Sequence, residues 1–261
     1  MLEVTEDITC ECGTVFQWTN DGDEWMRHFN HRPSHCAVCD ERIENKREAK
    51  REIERQLERE KKLAGHLEGL KNTIEKRIPP LFLATDTAHP KFNLPGWNAV
   101  KDWKPSAEKP WIGLIGETGT SKSRIAYLLA ANELEWITRI NCKNNEYPKR
   151  ATFSFVSSYE ITDLAMRLHT GTFSQKEEAG GDLADLRKVD LLLIDDLGKG
   201  RMSPAINGEL FALIDHRYKH QLRTIWTSNS TPEAIAANMS EDMAAPFAGR
   251  LNDCSRIIRF Q

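Results

Sequence analysis

The sequence has no apolar run of about 18 residues, the length that a membrane-spanning helix requires. It also lacks a basic excess, since 36 lysines and arginines face 39 aspartates and glutamates and the net charge is −3. A protein that is basic throughout and coats nucleic acid is therefore excluded, and any nucleic-acid contact depends on a local patch. The acidic start lacks the pattern of a secretion signal, so we expect a cytoplasmic protein without membrane association.

Six cysteines in a reducing compartment indicate metal ligands or free thiols before disulfides. Four of them form two close pairs, Cys10 with Cys12 and Cys36 with Cys39, with 23 residues between the pairs. Two turns that each present two thiolates complete the tetrahedral four-sulfur shell typical of structural zinc. We therefore predict a zinc-binding module over residues 1–40 that gains much of its stability from the metal.

The ligand set of this module stays open at the level of sequence. The first cysteine pair has one intervening residue where two is commoner, and His28, His31 or His35 could replace one sulfur. The alternative to a zinc site is a set of unrelated free cysteines with solvent-exposed histidines.

Residues 41–78 are rich in Glu, Lys and Arg and contain no proline before Pro79, a composition that favours a helix. Apolar residues approximate a heptad seam, which we define as Ile53, Leu57, Ala64, Leu67, Ile74 and Ile78. The segment is either a helix that docks on a partner protein or a solvated spacer. Residues 79–110 are rich in proline and read as an irregular connector with buried aromatic anchors, part of which could border a nucleotide base.

An apolar run from Trp111 ends in the glycine-rich stretch Gly116–Ser123, and a helix-favouring segment follows. This is the context of a phosphate-binding loop, in which backbone N–H groups and a helix N-terminus surround an anion. We predict that the loop binds nucleotide, with Lys122 reaching the terminal phosphates and Ser123 holding Mg²⁺. The full predicted nucleotide-binding set is Gly116, Glu117, Thr118, Gly119, Thr120, Ser121, Lys122, Ser123 and Arg124.

One position departs from the usual pattern G-x-x-x-x-G-K-[ST]. Ser121 stands before the lysine where the pattern has glycine, and we expect its side chain to crowd the phosphates and affect turnover. The alternative is a glycine turn beside a surface lysine.

A second apolar run over residues 189–194 is of buried-strand type and ends in Asp195 and Asp196. Acids at the end of a central strand beside a phosphate loop serve the metal and the attacking water. We assign Asp195 to the Mg²⁺ shell and Asp196 to the water. Asn229, at the polar end of a strand over residues 223–229, is expected to touch the water or the γ-phosphate.

Between these motifs we expect a strand over residues 151–157, a helix over 158–168, a polar mobile loop over 170–181 and a helix over 205–220. The alternation of strands and helices predicts an α/β fold with a parallel sheet covered by helices on both faces.

The ordered set Gly116–Ser123, Leu191–Gly198 and Arg223–Asn229, with Arg250 near the end, resembles an AAA+ ATPase. More narrowly, three segments look like the DnaC/DnaI-type loaders of the bacterial or phage replicative helicase, which are relatives of the IstB transposition ATPases. The segments are Leu192–Gly198, Glu209–Phe211 with Asp215–Tyr218, and Thr227-Ser228-Asn229. The resemblance covers residues 110–261 and implies a P-loop AAA+ sheet without a C-terminal lid.

The resemblance also implies catalytic roles for Lys122, Asp195, Asp196 and Asn229. It implies that Arg250 is an arginine finger that reaches a neighbouring subunit's nucleotide, with Arg256 as a weaker candidate and a plain surface arginine as the alternative. Self-association through the ATPase domain follows from this role.

These readings divide the chain into a zinc-binding module (1–40), a charged helix (41–78), a connector (79–110) and an AAA+ ATPase domain (111–261). The function implied is a helicase loader, an ATPase with slow turnover that binds ATP, Mg²⁺ and single-stranded DNA and delivers a DnaB-type helicase. The alternatives are an IstB-like transposition ATPase and a non-hydrolysing zinc-module adaptor. Candidate DNA contacts, by charge alone, are Lys143, Lys149, Arg150, Lys199 and Arg201.

Overall fold

A computed structural model describes residues 4–20, 35–144, 151–200 and 203–260. Its contacts divide the chain into two units, Met1–Lys62 and Leu63–Gln261. Five residues named above as candidate zinc ligands or DNA contacts lie outside the described residues: His28, His31, Lys149, Arg150 and Arg201. Among the residues that are described, no helix is both long and apolar enough to cross a bilayer.

The first unit begins with an antiparallel hairpin of β1 (Val4–Thr9) and β2 (Val15–Asn20), in which Ile8 lies opposite Phe16. The connection turns at Gly13, whose φ of +88° is a left-handed conformation that glycine adopts without a steric penalty. Cys10 closes this turn, because its carbonyl accepts a hydrogen bond from Gly13 and its N–H donates to Thr14. The hairpin therefore presents Cys10 and Cys12 on one tight turn.

The predicted charged helix is present as α1 (Ala37–Arg77), and the division between the two units falls inside it. Exposed ion pairs such as Lys62–Glu58, at 2.8 Å, add local support along its polar surface. The apolar seam is not one continuous surface. Ile53 and Leu57 are exposed, whereas Ile74 is buried in the second unit.

The second unit is built on a parallel sheet of five strands in the order β4-β5-β6-β3-β7. The strands are β3 (Trp111–Gly116), β4 (Phe153–Ser157), β5 (Leu191–Asp195), β6 (Arg223–Ser228) and β7 (Ser255–Phe260). The helices are α2 (Pro80–Leu83), α3 (Leu94–Val100), α4 (Lys122–Asn144), α5 (Ser158–Thr170), α6 (Phe173–Lys188), α7 (Pro204–Lys219), α8 (Pro232–Ala236) and α9 (Glu241–Cys254).

Alternate side chains of the central strands enter two separate cores, one on each face of the sheet. On β5, Leu191 and Leu193 pack with α4, while Leu192 and Ile194 pack with α5, α6 and α7. Each fully buried leucine contributes about 1.5–3 kcal/mol of hydrophobic stabilisation, which explains the unbroken apolar run in the sequence. The predicted α/β class, a parallel sheet covered on both faces, is confirmed.

The loop predicted over residues 170–181 is wrong, because α6 begins at Phe173. Thr172 and Gln175 form a capping box at its N-terminus, and Leu183 and Leu186 are buried. Two adjacent glycines in the helix suggested a loop, and each costs about 1 kcal/mol in a helix interior. Burial of the apolar face against α5 and α7 offsets that cost.

The connector contains two short helices, α2 and α3, that the sequence did not predict. Phe92 and Trp103 are buried in the α4-side core, and Trp97 packs against it, as expected for buried aromatic anchors. The connector therefore lies on the second unit, beside the N-terminus of α4, where Asn93 Nδ2 donates to the carbonyl of Thr120 at 3.4 Å.

Candidate functional site

The glycine-rich loop lies between the carboxyl end of β3 and the N-terminus of α4. Gly116 fits against β7 so closely that a Cβ atom there would lie 2.4 Å from the Phe260 carbonyl oxygen. Gly119 has a φ of +90°, which also requires glycine. The sequence thus places glycine where the loop turns and where it approaches the neighbouring strand.

Ser121 has a φ of +64°, a left-handed conformation that costs a residue with a Cβ atom. Its hydroxyl lies 3.5 Å from the carbonyl oxygen of Lys91 on the connector. This position explains why the usual pattern has glycine before the lysine. The departure seen in the sequence is therefore a point of backbone strain.

Lys122 begins α4 and is buried within the loop. Its Nζ donates to the carbonyl oxygen of Glu117 at 2.6 Å and lies 3.4 Å from Thr120 Oγ1. Burial lowers the pKa of Lys122, and the charge of Asp196 partly opposes this shift. An ammonium group held by neutral oxygen acceptors at the N-terminus of a helix is suited to an anionic ligand.

The strand order brings the predicted acids to the loop, because β6 lies between β5 and β3 and their carboxyl ends share one edge. Ser123 Oγ donates to Asp195 Oδ1 at 2.8 Å. Thr227 Oγ1, from β6, donates to the same oxygen at 2.6 Å. A buried carboxylate and a hydroxyl are the hard oxygen ligands that Mg²⁺ prefers, so Asp195 and Ser123 fit the predicted metal role.

Asp196 follows β5 in a left-handed conformation with a φ of +59°. Its N–H donates to Thr227 Oγ1 at 2.8 Å, and its Oδ2 pairs with Lys199 Nζ at 2.8 Å. Sequence reasoning missed Thr227, which fixes both acids, although its position two residues before Asn229 was a usable signal. It also placed Lys199 among the candidate DNA contacts, whereas Lys199 contacts the acid assigned to the attacking water.

Asn229 reaches the loop from the end of β6, where its Nδ2 donates to Thr118 Oγ1 at 3.2 Å. The structure therefore brings Lys122, Ser123, Asp195, Asp196 and Asn229 together, although they are scattered over more than a hundred residues of sequence.

A cavity of about 540 Å³ opens in front of this cluster. One wall is formed by Lys122, Asp196 and Asn229, and another by the connector residues Phe82 and His89. A larger groove, about 880 Å³, lies beside β4 and α6, but it contains none of these residues. The chemistry therefore favours the smaller cavity, whose connector wall is where a nucleotide base is expected.

In the first unit, the sulfur atoms of Cys10, Cys12, Cys36 and Cys39 all lie within 4.8 Å of one another. The Sγ atoms of Cys12 and Cys36 are 3.7 Å apart. A hydrogen bond with Thr14 lowers the pKa of Cys12 to about 6, whereas the hydrogen bond with Cys12 raises the pKa of Cys39 to about 12. Four clustered thiols on two turns fit a structural zinc site.

His35 is not part of this cluster. Its ring nitrogens lie 3.8 Å from carboxylate oxygens of Glu11 and Asp40. The described residues therefore favour four sulfur ligands over a mixed set.

Arg250, on α9, does not line the cavity of its own chain. Its guanidinium lies over the Phe211 ring, 4.6 Å from the centroid, and one nitrogen lies 2.6 Å from Asp215 Oδ1. The other two guanidinium nitrogens have no hydrogen-bond partner among the described residues. The finger role stays a prediction, as does the weaker one for Arg256, which is exposed on β7.

No family model and no curated protein matches the sequence. Solved structures to which the chain is similar include DnaI, at 19% identity and a TM-score of 0.48 over 70% of this chain and 92% of that one. The DnaC helicase loader gives 19% identity and a TM-score of 0.44 over 67% and 95% of the two chains. AMPPCP-bound DnaA from Aquifex aeolicus gives 19% identity and a TM-score of 0.45. The match covers 63% of this chain and 44% of the DnaA chain, so this chain spans less than half of that protein. The α/β fold of this chain is shown by its own parallel sheet order and by the glycine-rich loop between β3 and α4.

Proposed function

We propose that the second unit binds and hydrolyses ATP. The observation that carries the proposal is the 2.8 Å hydrogen bond between Ser123 of the glycine-rich loop and Asp195 of β5. It joins a hydroxyl beside the loop lysine to a buried acid 72 residues away, which is the pair that holds Mg²⁺ beside a triphosphate in P-loop ATPases.

In this proposal each side chain has a separate task. Lys122 leaves its contact with Glu117 for the charged phosphates. Ser123 and Asp195 would hold Mg²⁺, which would supply positive charge beside the transferring phosphoryl group. Asp196 accepts a hydrogen bond from the attacking water, and Asn229 positions that water or the γ-phosphate. Thr227 keeps the two acids in place through its contacts to both.

Hydrolysis by a lone chain is expected to be slow. Arg250 does not line the cavity of its own chain, so a guanidinium that stabilises the transition state would come from a neighbouring copy. Two guanidinium nitrogens of Arg250 are buried against its own chain, so the finger role requires the side chain to leave Asp215 when copies assemble.

The cellular role that we propose is loading of a replicative helicase of the DnaB type onto single-stranded DNA. It rests on the motif set that resembles DnaC/DnaI-type loaders. The cysteine cluster and α1, with Ile53 and Leu57 exposed, would contact the helicase. A cytoplasmic location is proposed with this role.

The ATPase proposal is tested by steady-state hydrolysis with and without single-stranded DNA, comparing wild type with Lys122→Ala. We expect a loss of about 100-fold or more in the variant, because the phosphate-binding ammonium is removed. The matched control is Lys62→Ala, which removes a lysine that pairs with Glu58 at 2.8 Å on the exposed part of α1. Equal activity in wild type and Lys122→Ala would end the ATPase proposal.

The loader role is tested separately by a pull-down against a replicative helicase and by DNA titrations. A preference for duplex over single-stranded DNA, without helicase capture, would favour the IstB-like alternative. Helicase capture that is independent of ATP, with no hydrolysis, would favour the zinc-module adaptor, which the strained Ser121 conformation makes a specific alternative.

A further inference from the structure

Lys199 lies on the wall of the nucleotide cavity, on a short turn between two glycines. Gly198 and Gly200 have φ values of +88° and +108°. The backbone of this turn is fixed to the acid pair, because the Lys199 N–H donates to the Asp196 carbonyl at 3.1 Å. The side chain is thus anchored beside the site of hydrolysis rather than on a distant surface.

The contact that Lys199 makes is to the acid assigned to the attacking water. Its Nζ lies 2.8 Å from Asp196 Oδ2, and the two side chains are 39% and 30% exposed. While this pair is intact, one oxygen of Asp196 accepts from an ammonium rather than from water. Ion pairs with this much exposure are weak, so a stronger anion in the same cavity displaces the carboxylate.

A bound triphosphate is such an anion. Four cationic side chains line the cavity among the described residues: Lys91, Lys122, Arg124 and Lys199. Arg124 is already engaged, because it donates to the carbonyl oxygen of Leu81 at 2.7 Å. Lys199 is the cation that touches the acid pair, where charge develops during phosphoryl transfer.

We propose that Lys199 is a γ-phosphate ligand that exchanges its partner, leaving the Asp196 carboxylate for the terminal phosphate when ATP binds. This inference rests on the proposed ATPase function and extends it to a residue outside the recognised motifs. The exchange has two consequences. It adds a cation at the transferring phosphoryl group, and it leaves both carboxylate oxygens of Asp196, rather than one, free to accept hydrogen bonds from water.

ADP has no γ-phosphate, so Lys199 stays on Asp196 in the ADP state. Lys199 therefore contacts the γ-phosphate in the ATP state and Asp196 in the ADP state. The presence of the third phosphate decides whether Lys199 occupies an oxygen of Asp196. The electrostatics agree with this position. Burial is the main cause of the lowered pKa of Lys122, and the positive charge of Lys199 adds to the shift, as expected when two ammonium groups share one cavity.

The test is equilibrium binding of Mg·AMPPCP and Mg·ADP to the full chain by calorimetry, for wild type, Lys199→Met and Lys199→Arg. We expect Lys199→Met to bind AMPPCP about tenfold more weakly and ADP within about twofold of wild type, because one charge-assisted contact to the γ-phosphate is lost. Lys199→Arg should retain most of the AMPPCP affinity, since it keeps the charge. Single-turnover hydrolysis should fall in Lys199→Met.

Lys62→Met is the matched control, because it breaks an ion pair of the same length outside the cavity and should change neither affinity. Lys199→Gln provides a second neutral variant if Lys199→Met unfolds in a thermal scan. An unchanged ratio of AMPPCP to ADP affinity in both neutral variants overturns the inference. Faster hydrolysis in the two neutral variants also overturns the inference, because the Lys199–Asp196 ion pair would then inhibit hydrolysis. Wild type that binds neither nucleotide overturns the ATPase proposal as well.

Discussion

Replacement of Ser121 by glycine is expected to stabilise the second unit. Ser121 has a φ of +64°, and a left-handed backbone costs an L-residue about 1–2 kcal/mol. Glycine avoids that cost but loses about 0.5–1 kcal/mol more backbone entropy on folding than a residue with a side chain. The midpoints of these two ranges differ by about 0.75 kcal/mol, so we expect a net gain of about 0.5–1 kcal/mol for Ser121→Gly.

The serine side chain makes little contact that would be lost. Its hydroxyl lies 3.5 Å from the Lys91 carbonyl oxygen, at the outer limit of a hydrogen bond. In a unit of this size, a gain of 0.5–1 kcal/mol raises the melting temperature by about 1–4 °C. Removal of the Cβ atom from the cavity wall should also tighten Mg·ATP binding by roughly two- to fivefold, since a side chain no longer competes for space with the phosphates.

Thermal unfolding without nucleotide, followed by ATP titration, measures both effects. The control is Ser121→Ala, which removes the hydroxyl but keeps the Cβ atom and the positive φ. We expect its stability to lie within about 0.5 kcal/mol of wild type and below that of Ser121→Gly. If alanine stabilises as much as glycine, or if glycine destabilises, the strain does not lie in the backbone and the reasoning is refuted.

Three further outcomes are expected. The full chain should hold one zinc ion, measured by metal analysis, and replacing Cys36 and Cys39 by serine should release it; wild type without metal would contradict the four-sulfur site. Asp195→Asn should retain nucleotide binding in the absence of Mg²⁺ but lose about 100-fold or more of the hydrolysis rate, and a rate near wild type would remove Asp195 from the metal shell. Arg250→Ala should lower the hydrolysis rate only at protein concentrations at which copies associate, measured as rate per subunit across a dilution series. An equal loss at all concentrations would instead indicate that its stacking on Phe211 is structural.

The buried strand and the glycine-rich loop of the second unit could be predicted because each motif is short and is constrained by one physical requirement, burial for the strand and backbone conformation for the loop. An unbroken apolar run such as Leu191–Ile194 has to be a strand buried on both faces, and it is. The loop required glycine at Gly116 and Gly119, where the structure shows close packing and a positive φ. The loop over residues 170–181 was predicted wrongly, because its helix depends on burial against α5 and α7, which local propensity does not contain.

From the sequence alone the α/β class could be predicted, together with the glycine-rich loop, the two acids beside it and the grouping of four cysteines. These follow from residue types at fixed spacing, where the backbone allows few alternatives. The contacts of Thr227 with both acids, the position of Lys199 on the wall of the 540 Å³ cavity and the separation of Arg250 from that cavity come from the folded structure alone. Those contacts depend on the insertion of β6 between β5 and β3, a choice of strand order that no local pattern in the chain encodes.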